Sequence, residues 1–202
     1  MKLYFSPGAC SLSPHIVLLE SRLGFTMEKV DLRSKLTESG RNYRAVNPKG
    51  YVPALELDDG RVLTEGPAVV QYLADLAPDR QLAPRPGTFE RYELISLLNF
   101  ISGELHKNYS PLFSPTTADE VKQAVRGNLA QRYPYIEQVL QGKQYLLGEQ
   151  FTVADAYLFV ISSWAAHVDV DLAAFPNLQA FMARVAARPA VQQALRAEGL
   201  LN

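Results

Sequence analysis

The stretch that decides the fold is residues 2–15, which read Lys-Leu-Tyr-Phe-Ser-Pro-Gly-Ala-Cys-Ser-Leu-Ser-Pro-His. Its first four residues predict a short β-strand, and the Pro-Gly pair that follows predicts a loop. From residue 11 to residue 23, apolar side chains recur in steps of three and four, which predicts an α-helix that ends at Gly24. The only cysteine of the chain, Cys10, lies where this helix begins.

The rest of the first half predicts more strands and helices in alternation. Residues 26–32 alternate as a second strand does, and 37–46 are polar, typical of a loop with a short helix. Two short strands, 54–57 and 61–64, flank an Asp-Asp-Gly turn at 58–60 that predicts a hairpin. A helix over 66–76 completes the order β-α-β-(α)-β-β-α, which predicts an α/β domain with a mixed sheet.

The second half predicts helices alone. Residues 77–87 hold three prolines and a glycine, and this composition is typical of a linker. We therefore expect an α/β domain over 1–77, a linker over 78–87 and an all-helical domain over 88–202. The helical patterns lie at 88–109, 118–142, 152–168, 176–188 and 190–197.

Charge and composition exclude several classes of partner. The 20 basic residues nearly balance the 21 acidic ones, so the net charge of −1 offers no electrostatic attraction to nucleic acid or to an anionic membrane. One cysteine cannot form a disulfide framework. No apolar run approaches the length of a membrane span. We therefore expect a soluble, cytoplasmic protein that binds neither nucleic acid nor membrane.

Cys10 is the first candidate for chemistry. Backbone N–H groups at the start of a helix favour a thiolate, so a cysteine there can have a lowered pKa and be reactive. The alternative is a small buried apolar residue. Residue 13 is a serine, so no second thiol completes a redox pair. The three histidines are far apart in sequence, and we expect no metal site.

Two junctions of the sheet could bind a ligand. Val52-Pro53 precedes the third strand, and a cis bond there would turn the backbone of Val52 towards an extended peptide, although the residues alone favour a trans bond. Glu65 and Gly66 lie where a strand leads into a helix, so that a carboxylate could bind the helix N–H groups and an ammonium group could bind Glu65. Without further context, an ordinary turn with an acidic residue near the positive helix end is the preferred interpretation of the second junction.

Two patterns in the helical half could serve the site or the fold. Asn99, Gly103 and His106 share one face of the predicted helix, which suits a cleft wall, although the spacing alone favours a solvated face. Thr152 and Asp155 fit the capping box of a helix start. We interpret this second pair as a structural element.

Taken in order, these segments resemble the glutathione S-transferase family, and within it the bacterial beta class. The resemblance covers nearly the whole chain, and no single motif decides it. The stretches that carry it are Lys2 to His15, Val46-Asn-Pro-Lys-Gly50, Val52-Pro-Ala-Leu55, Leu63-Thr-Glu-Gly66, Glu104-Leu-His106, Phe151-Thr-Val-Ala-Asp-Ala-Tyr157 and Arg196-Ala-Glu-Gly-Leu200.

The resemblance implies a thioredoxin-like domain followed by a helical domain, a homodimer, and glutathione bound at the domain interface. It implies that Cys10 contacts the glutathione sulfur and that Val52, beside a cis Pro53, pairs with the cysteinyl backbone. Glu65 and Gly66 would hold the γ-glutamyl end, and Lys35 the glycine carboxylate. The residues that would close the site from the helical domain, some of them from the partner subunit, are Asn99, Gly103, Glu104 and His106.

The activity that follows is transfer of the glutathione thiolate to small, mainly hydrophobic electrophiles, with Cys10 and His106 as catalytic residues. Other classes of the family activate the thiol with a hydroxyl, and Tyr4 and Ser11 lie close to Cys10 in sequence. The first alternative is a glutathione-dependent redox enzyme that works through a Cys10 mixed disulfide. The second is a binding or regulatory protein without catalysis. The sequence does not name the electrophile.

Overall fold

A computed structural model describes residues 1–201 and places a five-stranded mixed sheet in the first half of the chain. The strands lie in the order β3-β2-β1-β4-β5, with β1 parallel to β2 and the other three pairs antiparallel. This arrangement confirms the expected α/β domain with a mixed, thioredoxin-like sheet. The strand bounds are β1 Lys2–Phe5, β2 Thr26–Asp31, β3 Leu36–Thr37, β4 Ala54–Glu56 and β5 Val62–Thr64.

Two local predictions in this half have opposite outcomes. The Asp-Asp-Gly turn joins β4 to β5 as expected. Gly60 has a φ of +83°, a backbone conformation in which a residue with a side chain would be strained. The first helix, α1, spans Leu12–Ser21 and does not end at Gly24. Arg22 ends it, in a left-handed conformation with a φ of +57°, and its N–H bonds to the carbonyl oxygen of Leu19. The strand β3 was not predicted, because two residues carry no periodicity.

Helices make up the other regular elements of the described chain. α2 spans Gly66–Leu76 as predicted, with Pro67 in the first turn, where its missing N–H costs no hydrogen bond. The other helices are α3 Phe89–Phe100, α4 Lys107–Phe113, α5 Asp119–Leu140, α6 Val153–Ser163, α7 Pro176–Ala186 and α8 Pro189–Ala197, and short 3-10 turns lie at Tyr43–Ala45, Pro78–Arg80 and Trp164–His167.

One helix differs in kind from its prediction. Apolar periodicity predicted a single helix over 88–109, but a π-helical stretch at Ile101–His106 separates α3 from α4. A pattern of apolar residues does not distinguish i→i+4 from i→i+5 hydrogen bonding. π-helical turns are rare, and they occur frequently at functional sites.

The chain divides into two compact units. One unit contains Met1–Ala83 together with the described residues from Arg188 onwards, and the other contains Pro84–Ala187. The first unit therefore holds the sheet, α1, α2 and α8, whereas the sequence-based division placed everything from residue 88 onwards together. None of the helices in residues 1–201 has the length and apolar character needed to cross a membrane.

Buried polar contacts explain why α8 packs with the sheet unit. The carboxylate of Glu198 bonds to His15 Nδ1 at 2.9 Å and accepts a hydrogen bond from the Gly8 N–H, also at 2.9 Å. Both side chains of the first pair are buried. At the start of α8, Arg188 makes a forked pair with Glu20 of α1, at 2.7 and 3.0 Å. These contacts tie the end of the described chain to α1 and to the loop before Cys10.

The predicted capping box is present at the start of α6. Asp155 Oδ2 accepts hydrogen bonds from the Thr152 N–H at 2.7 Å and from the Thr152 hydroxyl at 2.9 Å. Asp155 Oδ1 accepts a third bond, from the Leu146 N–H at 2.8 Å. An apolar residue before a helix cap often packs against the fourth helical residue, but here that residue is the small Ala156. Phe151 packs edge-on against Tyr145, with ring centroids 5.6 Å apart. Asp155 therefore fixes both the start of α6 and the preceding loop.

Candidate functional site

Four stretches that carry predicted site residues leave the sheet at the same edge. β1 and β2 are parallel and both end at this edge, and the loops that follow them carry Cys10 and Lys35. β4 begins here and β5 ends here, because β4 is antiparallel to β1 and β5 is antiparallel to β4. Val52-Pro53 directly precedes β4, and Glu65 directly follows β5. The sheet topology thus brings these residues together.

Cys10 is held against the backbone of Val52. Its Sγ donates a hydrogen bond to the Val52 carbonyl oxygen at 3.2 Å. The Val52–Pro53 bond is cis, as the resemblance implied and contrary to the expectation from the residues alone. The Val52 N–H has no hydrogen-bond acceptor within residues 1–201. Val52 therefore presents a free backbone donor next to the thiol, the arrangement that pairs with an extended peptide.

In the protein without ligand, the pKa of Cys10 is raised, because burial outweighs the lowering effect of the helix start. Burial, together with the negative charge of Glu65, raises the pKa of Cys10 to about 12, against the smaller lowering effect of the backbone N–H groups of Cys10 and Ser11. The residue keeps some exposed surface, but protein atoms surround the thiol. At neutral pH the side chain is therefore a protonated thiol, which donates a hydrogen bond.

The hydroxyl groups of Tyr4 and Ser11, which lie close to Cys10 in sequence, are engaged elsewhere. Tyr4 is fully buried and donates to Glu56 Oε2 at 2.6 Å, and burial is the main cause that raises the pKa of its phenol. The hydroxyl of Ser11, also fully buried, accepts from the Ser6 N–H at 3.1 Å and donates to the Ser6 carbonyl oxygen at 3.3 Å. Neither hydroxyl replaces Cys10 as the group that could meet a ligand sulfur.

Glu65 and Gly66 form the start of α2 as predicted, and Glu65 is in an unusual conformation. Its φ is +72°, in the left-handed region that non-glycine residues rarely adopt. Its carboxylate is exposed and forms an ion pair with the ammonium group of Lys49. Backbone N–H groups in the first turn of a helix have no acceptor within the helix, and Gly66 supplies one of them.

Lys35 lies between β2 and β3 with its charge directed to the protein's own backbone. Its φ is +61°. Its Nζ donates to the Gly50 carbonyl oxygen at 3.0 Å and lies 6.0 Å from the ring centre of Tyr51. The ammonium group of Lys35 therefore lies against Gly50, on the segment that leads into Val52.

In the helical unit, the predicted site residues lie on α3 and on the π-helical stretch. Asn99 and Gly103 are exposed, and a side chain at Gly103 would meet no atom within 4 Å. Glu104 is partly exposed and forms an ion pair with Arg132 at 2.6 Å. The sequence argument that placed Asn99, Gly103 and His106 on one face assumed an α-helix throughout. The π-helical stretch changes the angle between successive side chains, so spacing alone no longer places the three on one face.

His106 ends the π-helical stretch and contacts aromatic residues that the sequence analysis did not assign to the site. Its Nδ1 lies 2.7 Å from the hydroxyl oxygen of Tyr157. The ring of Trp164 lies edge-on to the imidazole, with centroids 5.0 Å apart. Trp164 is itself buried. No spacing rule connects position 157 to position 106, so the sequence carried no signal for this pair.

No metal centre accompanies these groups in the described part of the chain. Residues 1–201 contain no cluster of three or more His, Cys, Asp or Glu side chains that could hold a metal ion. Of the three histidines, His15 pairs with Glu198 and His106 pairs with Tyr157.

Comparison with known proteins identifies the family. The glutathione S-transferase N-terminal domain matches residues 8–76, and the glutathione S-transferase C-terminal domain matches residues 100–189. Glutathione S-transferase GstA of Escherichia coli O157:H7 is 51% identical over 200 residues, which cover 99% of this chain and 100% of the relative. The chain belongs to the glutathione S-transferase family.

Solved structures of the family agree in fold over their full length. The bacterial glutathione S-transferase BphK, in a ternary complex, is 60% identical and superposes with a TM-score of 0.98, covering 99% of this chain and 100% of the other. The beta class glutathione S-transferase of Sphingomonas chungbukensis is 50% identical with a TM-score of 0.96, and each chain is covered completely. The resemblance to the bacterial beta class is thereby confirmed.

We predict that alkylation of Cys10 by iodoacetamide is slow at pH 7–8 and accelerates steadily up to pH 10. Only the thiolate reacts, and a pKa of about 12 leaves little of it in this range. Mass spectrometry of the intact protein can follow the reaction, because Cys10 is the only cysteine. Glu65→Gln removes a charge that raises this pKa and should accelerate alkylation at pH 8 about two- to threefold. A rate that levels off below pH 8 would contradict the raised pKa.

Proposed function

We propose that the protein catalyses transfer of the glutathione thiolate to small, mainly hydrophobic electrophiles, with glutathione as its co-substrate. The observation that carries the proposal is the pairing of the Cys10 thiol with Val52, whose backbone N–H has no acceptor within residues 1–201. A thiol donor beside an open peptide edge suits a peptide ligand that itself carries a sulfur. Membership of the glutathione S-transferase family supports glutathione as that ligand.

The groups at the sheet edge match the chemistry of glutathione from end to end. The cysteinyl backbone pairs with Val52, beside the cis Pro53, so that its sulfur faces Cys10 Sγ. The γ-glutamyl ammonium binds Glu65, and the γ-glutamyl carboxylate binds the Gly66 N–H at the positive end of α2. Lys35 binds the glycine carboxylate.

Binding has to exchange contacts that the protein makes with itself. Without ligand, Lys49 forms an ion pair with the carboxylate of Glu65, and Lys35 donates a hydrogen bond to the Gly50 carbonyl oxygen. The exposed Lys49–Glu65 ion pair contributes only about 0–1 kcal/mol, and Lys35 makes one hydrogen bond to a neutral carbonyl oxygen. Ligand charges can therefore replace them at little cost in free energy.

The reaction needs the glutathione thiol to lose its proton. Hydrogen bonds from the Cys10 S–H and from His106 to the sulfur favour the thiolate and so lower the pKa of the ligand thiol. The thiolate then forms a thioether with the electrophilic carbon, and the leaving group departs with the electron pair of its bond. We propose that Asn99, Gly103, Glu104 and His106 complete the site. A mainly apolar pocket would receive the electrophile.

Calorimetric titration with reduced glutathione tests the site. We expect binding in the micromolar to millimolar range, and Lys35→Ala should weaken it about tenfold, because a charge-assisted hydrogen bond to the ligand carboxylate is lost. Lys143→Ala removes an exposed lysine far along the chain, on the loop after α5, and should leave the affinity unchanged. No detectable binding by the unaltered protein would refute the proposed function.

The raised pKa of Cys10 bears on the redox alternative. A mixed disulfide forms when the Cys10 thiolate attacks oxidised glutathione and releases one molecule of reduced glutathione. Burial, with a pKa of about 12, keeps Cys10 protonated at neutral pH and so makes it a poor nucleophile. The same property suits a hydrogen-bond donor to a ligand sulfur. The structure therefore favours conjugation as the main activity.

We predict that Cys10→Ala abolishes exchange with oxidised glutathione but lowers conjugation to a standard aryl halide by no more than about tenfold, the effect of one lost hydrogen bond. Cys10→Ser keeps a donor of similar size and should recover most of the conjugation rate without restoring exchange. Both rates can be measured on the same preparations, the exchange by mass spectrometry of the Cys10 adduct. Equal losses of the two activities in Cys10→Ala would contradict this division of roles.

We further propose that the protein is a homodimer. α3 exposes Phe89 and Tyr92, one turn apart, at 74% and 61% of their full surface. Exposed aromatic residues of this size are typical of an interaction surface. Asn99 and Gly103 follow further along the chain, and both are also exposed. A second copy that covers this face in a twofold arrangement would bury the aromatic rings and lie next to these two site residues.

We predict that Phe89→Ser combined with Tyr92→Ser converts the dimer into a monomer at micromolar concentration, as measured by light scattering after gel filtration. The apolar area that drives association would be lost. Val121→Ser removes an exposed apolar side chain from α5 in the same unit and should leave the mass unchanged. A monomeric unaltered protein would refute the dimer, and a dimeric double variant would place the interface elsewhere.

A further inference from the structure

A buried tyrosine on a neighbouring helix forms a hydrogen bond with His106. The hydroxyl oxygen of Tyr157 lies 2.7 Å from His106 Nδ1, and the two rings meet edge-on with centroids 5.9 Å apart. Tyr157 is 1% exposed, whereas His106 is partly exposed. Trp164 packs edge-on against the imidazole at 5.0 Å. The phenol therefore contacts one identified nitrogen of a ring whose orientation two aromatic neighbours restrict.

The position of Tyr157 is fixed from its own helix. It lies in the second turn of α6, two residues after Asp155, whose carboxylate accepts three hydrogen bonds at the helix start. Every residue of α6 from Val153 to Ser162 is buried. The phenol hydroxyl is therefore delivered by a rigid element to the end of the π-helical stretch, where backbone geometry is less regular.

We propose that Tyr157 is a positioning residue that donates its hydroxyl hydrogen to His106 Nδ1 and so keeps the imidazole proton on Nε2. A phenol is a stronger acid than a neutral imidazole N–H, and the phenol is therefore the donor of the pair. The hydrogen bond at one ring nitrogen decides which tautomer the ring adopts. His106 then offers Nε2–H as a donor. This inference rests on the proposed function, in which that donor serves the glutathione sulfur.

Nitrogen NMR of histidine-labelled protein tests the tautomer without glutathione or turnover. In the unaltered protein at neutral pH, we expect Nδ1 of His106 to give the shift of an unprotonated nitrogen and Nε2 the shift of a protonated one. Tyr157→Phe keeps the ring but loses the hydroxyl, so the two shifts should move towards each other as both tautomers become populated. A proton on Nδ1 in the unaltered protein would overturn the proposal, and that result needs no variant.

Tyr109→Phe is the matched control. Tyr109 is also a fully buried tyrosine of the helical unit and also packs edge-on against Trp164, at 5.8 Å. Its hydroxyl bonds to the hydroxyl of Tyr133 at 2.7 Å. Losing this hydroxyl should leave the His106 shifts unchanged. Equal changes in both variants would show a general loosening of the unit and would overturn the specific role of Tyr157.

A double-mutant cycle links the tautomer to the reaction. We expect Tyr157→Phe to lower kcat/KM for conjugation about fivefold, the effect of a weakened hydrogen bond, and His106→Ala to lower it at least as much. The double variant should be no worse than His106→Ala, because Tyr157 acts only through His106. Losses that multiply in the double variant would overturn the role, since they would show an independent structural effect.

The proposed function and the role of Tyr157 can be refuted separately. If the unaltered protein does not bind glutathione, the proposed function is refuted, and so is the hydrogen bond from His106 Nε2–H to the glutathione sulfur. The NMR result still decides whether Tyr157 sets the tautomer. Normal glutathione binding combined with a proton on Nδ1 overturns this inference and leaves the proposed function standing.

Discussion

Hydrogen bonding of β1 to a parallel neighbour on one side and an antiparallel neighbour on the other is the constraint on which the site depends. Because β1 and β2 are parallel, both strands end at the same edge of the sheet. Because β4 is antiparallel to β1 and β5 to β4, β4 begins and β5 ends at that edge. Cys10, Lys35, Val52 and Glu65 are far apart in sequence and meet only through this arrangement. A slip of one residue in either pairing would turn the side chains of a strand to the opposite face. The register of four residues in β1 therefore sets the geometry of the whole edge.

The site without ligand satisfies its own charges. Lys49 neutralises Glu65, Lys35 is bound to a backbone carbonyl oxygen, and the thiol of Cys10 donates to Val52. A charged peptide that carries a sulfur would supply equivalent groups: an ammonium group for Glu65, an oxygen acceptor for Lys35 and a sulfur acceptor for the Cys10 thiol. Burial of the thiol has the larger effect on its chemistry, since a desolvated sulfur resists ionisation. The protein thus keeps its single cysteine protonated beside a backbone donor that remains open.

Local signals predicted those parts of the structure that depend on local energetics. The Gly60 turn, the start of α2 at Gly66 and the capping by Asp155 follow from backbone preferences within a few residues, and the structure confirms all three. The properties that depend on distant neighbours were not predictable in this way. The pKa of Cys10 reflects burial by the whole unit, and the partner of His106 lies on another helix. Apolar periodicity also could not reveal a π-helical stretch, whose pattern resembles that of an α-helix.

The hydrogen bond between the Gly8 N–H and Glu198 joins residues 190 positions apart in the chain. The ribosome adds residues from the amino terminus at about 5–20 per second, so roughly 10–40 seconds separate the synthesis of these two partners. During this interval the strands and α1 can already pair, but the loop before Cys10 lacks the contact that holds it from the far end. Until α8 emerges and docks, the loop that leads to Cys10 therefore stays without its hydrogen bond to Glu198.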